Sequence, residues 1–147
     1  MLVREFMHVD PVTITPDTPL LEAEWRMQEG GFRHLPVTDA YDRLVGIVSD
    51  RDLREAAPSD ATALSRQELT YLLSRLRVKD VMASPVQTAR PNEPAETAAI
   101  RMRENKVSAL PVVDDDCLVG IVTTSDMLDA LVRMLNVQRG ASHAERD

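Results

Sequence analysis

The chain has 147 residues, of which 44% are hydrophobic and 28% charged, a globular balance that fits neither a disordered chain nor a membrane protein. Its net charge of −7 and aromatic content of 3% remove the basic surface and the stacking platforms on which nucleic-acid binding relies. Cys117 is the only cysteine, which excludes an internal disulfide and a cysteine metal cluster; without a long apolar run or an apolar leader before Pro11, a cytoplasmic location with no membrane or nucleic-acid partner is expected.

In chain order, Val3-Arg4-Glu5-Phe6-Met7 opens the sequence, and the β-rich stretch Val12-Thr13-Ile14-Thr15 predicts a first strand ending at Pro16. Asp17 and Thr18 before Pro19 suit the first turn of a helix. Leu20, Ala23 and Met27 then follow at helical spacing until Gly30-Gly31 stops the run by admitting positive φ. Phe32–Thr38 and Leu44–Ser49 read as two strands around a polar tip, and Asp50–Ala57 as the start of a short helix. In the stretch 59–77, Ser65-Arg66-Gln67-Glu68 is a capping box. Leu69, Leu72, Leu73 and Leu76 after it predict an amphipathic helix, whose apolar stripe either docks on its own chain or forms a dimer contact.

The same order then returns. Val78-Lys79-Asp80-Val81-Met82 matches the opening, Pro91 and Pro94 match Pro16 and Pro19, and Ala95, Ala98, Ala99 and Met102 predict a helix ending at Asn105. Leu110-Pro111-Val112 matches Leu35-Pro36-Val37, and Leu118-Val119-Gly120-Ile121-Val122 repeats Leu44–Val48 in full. The chain therefore carries two copies of one unit, residues 1–58 and 78–136, joined by a linker helix at 59–77 and followed by a polar tail at 137–147. The predicted class is α/β of the α+β type, with each copy ordered β-α-β-β-α. A three-stranded unit of this size is marginal alone, so the copies are expected to pack through their sheets about a pseudo-twofold axis.

Each copy carries a glycine, two aliphatics, a hydroxyl residue and an aspartate three places further on: Gly46-Ile47-Val48-Ser49 with Asp52, and Gly120-Ile121-Val122-Thr123 with Asp126. A hydroxyl and a carboxylate so spaced at a strand-to-helix junction share one helical turn beside free backbone N–H groups, an arrangement that caps the helix and also suits a nucleotide. These blocks, with the Leu-Pro-Val strand before them, resemble the cystathionine β-synthase (CBS) domain, and two in tandem resemble a Bateman module. The linker from Leu64 to Leu73 resembles that of the acetoin-utilization group of two-CBS proteins.

The resemblance implies adenosyl ligands such as AMP, ADP or ATP in two clefts between the repeats, as regulatory ligands and not required cofactors. By position, Asp52 and Asp126 would hold ribose, Ser49 and Thr123 phosphate, and Ile47 and Ile121 the base. Val12, Thr13, Val86 and Gln87 would offer backbone groups to the adenine edge. Phe32, Arg33 and His34, and Val107, Ser108 and Ala109, would form the remaining walls. Where the first copy has Arg33, His34 and Arg51, the second has Ser108, Ala109 and Ser125 at the matching positions, so the first site is expected to prefer phosphorylated ligands, arginine being the better phosphate partner.

No nucleophile with its base, no phosphate-transfer loop and no metal-ligand spacing among His8, His34 and His143 is present. Cys117 lies beside Asp114, Asp115 and Asp116, which disfavours a reactive thiolate, and the methionines read mostly as core. The expected function is therefore a non-enzymatic adenine-nucleotide sensor that acts on an unidentified regulated protein. The alternatives are a sensor of NAD or S-adenosylmethionine, or a scaffold dimer with vestigial clefts. By resemblance two chains form a flat homodimer through their helices, with Leu20, Leu21, Trp25 and Leu53 as apolar helical positions.

Overall fold

The computed structural model describes residues 1–56 and 65–146, with side chains as far as Ala141. The end of the predicted first repeat and the start of the linker, from Ala57 to Leu64, lie outside the described residues, as does the His143 side chain. A 3-10 turn at Val3–Glu5 leads to β1 (His8–Val9), α1 (Leu20–Gly30), β2 (His34–Thr38), β3 (Leu44–Ser49) and α2 (Asp50–Ala56). The linker helix α3 (Arg66–Arg75) follows, then a second 3-10 turn at Val78–Asp80, α4 (Ala95–Asn105), β4 (Ala109–Asp114), β5 (Cys117–Thr123) and α5 (Thr124–Arg146).

Two compact units emerge, and their composition does not follow the repeats. One comprises Pro11–Val86 with Asp116–Leu118; the other comprises Met1–Asp10, Gln87–Asp115 and Val119–Asp147. Each is thus completed by the opening segment of the opposite repeat. In the first unit Val78 N donates to Thr18 O and Lys79 N to Pro16 O, both at 2.9 Å, while in the second Val3 N donates to Glu93 O and Arg4 N to Pro91 O, both at 3.0 Å. Burial holds these segments in place: Val3 and Val78 are both fully buried.

In the first unit β2 and β3 form an antiparallel pair with His34 opposite Ser49 and Pro36 opposite Ile47. Leu35, Pro36, Val37 and Thr38 are all buried, because α1 covers one face and Leu73, Leu76 and Met82 also pack on the core of Ile14, Leu20, Ala23, Met27, Leu35, Val37, Val48 and Val78. Leu20, one of the proposed dimer-facing positions, belongs to this core, and Leu53 is partly buried against it. Trp25 stays exposed. Burying one such leucine is worth about 1.5–3 kcal/mol. The linker helix docks on α1 of its own chain, with Ser65 as N-cap accepting from Glu68 N at 3.1 Å.

The second unit repeats the plan around Val3, Ala89, Ala98, Met102, Leu110, Val112 and Val122. Its sheet has the order β1-β5-β4, with His8 opposite Ile121 and Val9 opposite Gly120.

Three local expectations change. The predicted strand Val12–Thr15 shrinks to one parallel bridge between Ile14 and Val37, and its counterpart to one between Ala89 and Val112. Prolines at 11 and 16 limit the ladder by removing donors and fixing φ. The predicted polar tail continues as helix in α5, which runs to Arg146. Of the methionines, Met27 and Met102 are core, whereas Met1 and Met134 are exposed. Helix α1 ends as expected, with Gly31 at φ 69° donating its N–H to Met27 O.

Candidate functional site

The two strand-to-helix junctions are built alike. After β3, Ser49 N donates to Asp52 Oδ2 at 2.8 Å and Asp52 N donates to Ser49 Oγ at 3.1 Å. After β5, Thr123 N donates to Asp126 Oδ2 at 2.8 Å, and Asp126 N lies 3.4 Å from Thr123 Oγ1. Thr123 Oγ1 also donates to Asp126 Oδ2, at 3.1 Å. Each side chain satisfies a backbone N–H that the first helical turn leaves without a partner. The carboxylates are thereby fixed in position before any ligand arrives.

The glycine before each junction has a steric reason. A Cβ on Gly46 would lie 2.5 Å from Met82 Sδ and 3.2 Å from Ala83 O, and one on Gly120 would lie 2.8 Å from His8 O and 2.9 Å from Met7 Sδ. Glycine admits the opening segment of the opposite repeat against the strand. Ala83 consequently pairs with Ile47, as His8 pairs with Ile121.

Around Ser49 the structure gathers His34, opposite it in the ladder, and Asp52. His34 is half-buried, and burial pushes its imidazole below the ordinary value near 6.5; Asp50 and Asp52 push it back up, and Arg33 adds to the lowering. Ile47 and Ile121 are half-buried on the adjoining strands. The two arginines have contacts of their own beside this junction. Arg51 runs along α2, its Nε 3.0 Å from Glu55 Oε1, with the side chain 77% exposed. Arg33 lines a groove of about 550 Å³ with Leu20, Met27, Phe32, Asp50 and Leu53. A second groove, of about 840 Å³ between α1 and α3, likewise includes neither Ser49 nor Asp52. Its walls, which mix Leu21, Trp25 and Leu73 with Glu22, Glu24, Arg66 and Arg77, carry no feature of the junction chemistry, so the fixed carboxylates are the stronger sign of a site.

Val12 is exposed and Thr13 half-buried beside the Ile14 bridge; Val86 is half-buried, and Gln87 and Ser108 are exposed. Ser108 O accepts from Thr124 N at 3.0 Å, as Arg33 O accepts from Asp50 N at 2.9 Å. Asp126 is buried, and its Oδ1 lies 3.0 Å from His8 Nε2. His8 was not among the sequence-predicted site residues. Its position in the opening segment gave no local signal, since it is brought to Asp126 by the β1–β5 pairing.

An α/β protein made from two copies of one repeat, each with a hydroxyl and a carboxylate locked together at its strand-to-helix junction, is the class these observations define. Residues 3–59 and 78–133 match the CBS domain, and the chain belongs to that family. A CBS domain-containing protein of Dictyostelium discoideum is 35% identical over 92% of this chain and 94% of its own length. The acetoin utilization protein AcuB of Vibrio cholerae has a similar structure, with a TM-score of 0.76 and 33% identity over 95% of this chain and 96% of that one. So has CBSX2 in complex with AMP, with a TM-score of 0.74 and 32% identity over 90% and 97%. The CBS domain pair of protein MJ0100, in complex with 5′-methylthioadenosine and S-adenosyl-L-methionine, gives a TM-score of 0.78 at 27% identity over 91% and 98%. Among enzymes, L-aspartate semialdehyde sulfurtransferase of Methanocaldococcus jannaschii is 32% identical over 86% of this chain, which spans only 22% of that protein. Among the described residues no helix is long and apolar enough to cross a membrane.

Proposed function

We propose that this chain is a regulatory module that senses an adenine nucleotide of the AMP, ADP or ATP class and passes the signal to another protein. The observation that carries this reading is the locked hydroxyl and carboxylate at both junctions, in a chain similar to structures that hold AMP, 5′-methylthioadenosine and S-adenosyl-L-methionine. Asp52 and Asp126 would accept from a ribose diol, as acidic residues do in dinucleotide folds. Ser49 and Thr123 would meet phosphate, and Ile47 and Ile121 would flank the base. Val12-Thr13 and Val86-Gln87 would meet the adenine edge, with Arg33, His34 and Ser108 as walls. Arg51 would reach a phosphate only by leaving Glu55, a small step because an exposed ion pair of this kind is worth only a few tenths of a kcal/mol, about 0.3–0.5.

The test is a thermal-shift panel of AMP, ADP, ATP, NAD and S-adenosylmethionine on the full chain. A ligand at about 100 times its Kd stabilises the folded state by about 2.7 kcal/mol, so at least one adenosyl compound should raise the melting temperature by several degrees. A panel in which none does so overturns the nucleotide reading. The partnership expected from the family resemblance is a homodimer through helices. Trp25 on α1 and Leu128, Leu131 and Leu135 on α5 are exposed apolar residues that fit it. Light scattering at tens of micromolar should return twice the chain mass of 16.4 kDa, and a monomer mass counts against this assembly.

A further inference from the structure

Among the described residues, the second junction contains a contact from the opening segment of the opposite repeat for which the first shows no counterpart. His8 Nε2 lies 3.0 Å from Asp126 Oδ1, while Asp126 Oδ2 already receives Thr123 N and Thr123 Oγ1. Asp126 is only 5% exposed, yet the His8 side chain is 71% exposed. In the other unit the equivalent position is Ala83, opposite Ile47. A methyl group offers Asp52 nothing, and Asp52 Oδ1 carries no hydrogen bond among the described residues.

A carboxylate has about four lone-pair positions. At Asp126 three are in use by Thr123 N, Thr123 Oγ1 and His8 Nε2. A ribose diol needs two, so one existing partner has to leave. The Thr123 amide is fixed at the end of β5, and the Thr123 hydroxyl belongs to the same cap. The exposed imidazole is the partner that can swing away into water.

We propose that His8 is a latch on the second nucleotide site: it holds the carboxylate that the ribose must engage, so a nucleoside enters only by displacing it. This rests on the reading of Asp126 as a ribose acceptor given above. The consequence is a ranking. The site at Ser49 and Asp52 binds a nucleoside without that competition, and the site at Thr123 and Asp126 is weaker by the value of one charge-assisted hydrogen bond, about tenfold or more in affinity. The latch comes from the opening segment of the chain, so its removal leaves the junction cap intact.

Titration calorimetry with adenosine on the full chain tests this. His8→Ala installs the residue the other repeat carries at that place, and should tighten the weaker binding event about tenfold while leaving the tighter one unchanged. His8→Gln, whose amide can still donate to Asp126 Oδ1, should stay close to the parent protein. With 2′,3′-dideoxyadenosine, which has no diol, His8→Ala should change nothing. Adenosine binding to the second site that is unchanged or weakened in His8→Ala overturns the latch, as does a His8→Gln protein that behaves like His8→Ala. If adenosine binds to no variant at either junction, the ribose reading of both aspartates fails and the latch falls with it. Binding at Asp52 with a second event indifferent to His8 refutes the latch alone.

Discussion

At Ser49–Asp52 and at Thr123–Asp126 the strand's last amide reaches the carboxylate at the same 2.8 Å, and in both cases the hydroxyl faces the aspartate's own N–H. The surroundings of the carboxylates nevertheless diverge. Asp52 is half-buried with His34 and Ala83 near its strand, whereas Asp126 is buried and bonded to His8. Even the helices that follow differ, α2 being 7 residues long and α5 23. The cap is encoded locally, by a hydroxyl and an aspartate three apart. What each carboxylate is free to bind is set by the segment laid across the preceding strand, which comes from the opposite repeat.

The largest expected effect separates sequence repeat from structural unit. A fragment of residues 1–58 lacks Val78, Leu73, Leu76 and Met82, all of which pack in or on the first core, whereas a fragment of residues 11–86 contains them. The longer fragment should melt cooperatively and 1–58 should show no transition by circular dichroism. A cooperative transition in 1–58 would mean that the opening segment of the second repeat is dispensable to the first core.

The glycines sharpen the comparison next. Overpacking typically costs about 1–3 kcal/mol. The Cβ of Gly46→Ala meets first the flexible end of Met82, while that of Gly120→Ala meets the His8 carbonyl oxygen at 2.8 Å. The backbone cannot turn aside as a thioether can, so Gly120→Ala should be the more destabilised of the two in urea unfolding. Equal losses would place the resistance in the strand itself.

Ligand affinity comes third. With AMP, Asp52→Ala should abolish the tighter calorimetric event, a loss of at least tenfold, and Asp126→Ala should leave it standing; equal losses from both would erase the distinction between the junctions. Arg51→Ser should weaken AMP relative to adenosine only slightly, since Arg51 begins on Glu55. A large selective loss would show that the ligand draws it across.

Much of this was readable in the sequence. Helix α1 from Leu20 to Gly30, helix α4 from Ala95 to Asn105 and the hairpin strands fall within two residues of the spacing-based expectation, because period, turn residues and glycine stops are local signals. The paired hydroxyl and aspartate residues were legible for the same reason. Exchange of the opening segments was not, since Val3 and Val78 carry the same apolar pattern whichever core they fill. Nor was His8: aligning the repeats sets it against Ala83 and draws attention instead to Arg33, which lines a groove with Asp50, and Arg51, which pairs with Glu55. A tertiary pairing of one residue with another 118 places along the chain leaves no periodic trace.

The smallest effect concerns protons. His34 is held below the ordinary imidazole value, chiefly by burial, so the fold favours its neutral form. Above about pH 6.5 both folded and unfolded chains carry it neutral, and its contribution to stability is complete. As pH falls through 6.5 the unfolded chain takes up the proton first, and that contribution drains away until the pH has passed below the folded value. The second repeat carries Ala109 at the matching place, where nothing titrates. His34→Ala should therefore lose stability by an amount that shrinks between pH 7.5 and pH 5.5. Its melting temperature should approach that of the parent protein as acid is added. The change is modest because His34 is only half-buried and Asp50 and Asp52 oppose the effect of burial. A gap that stays constant across that range would mean that His34 holds its proton equally well in both states, and a gap that widens would mean that the two carboxylates outweigh its burial.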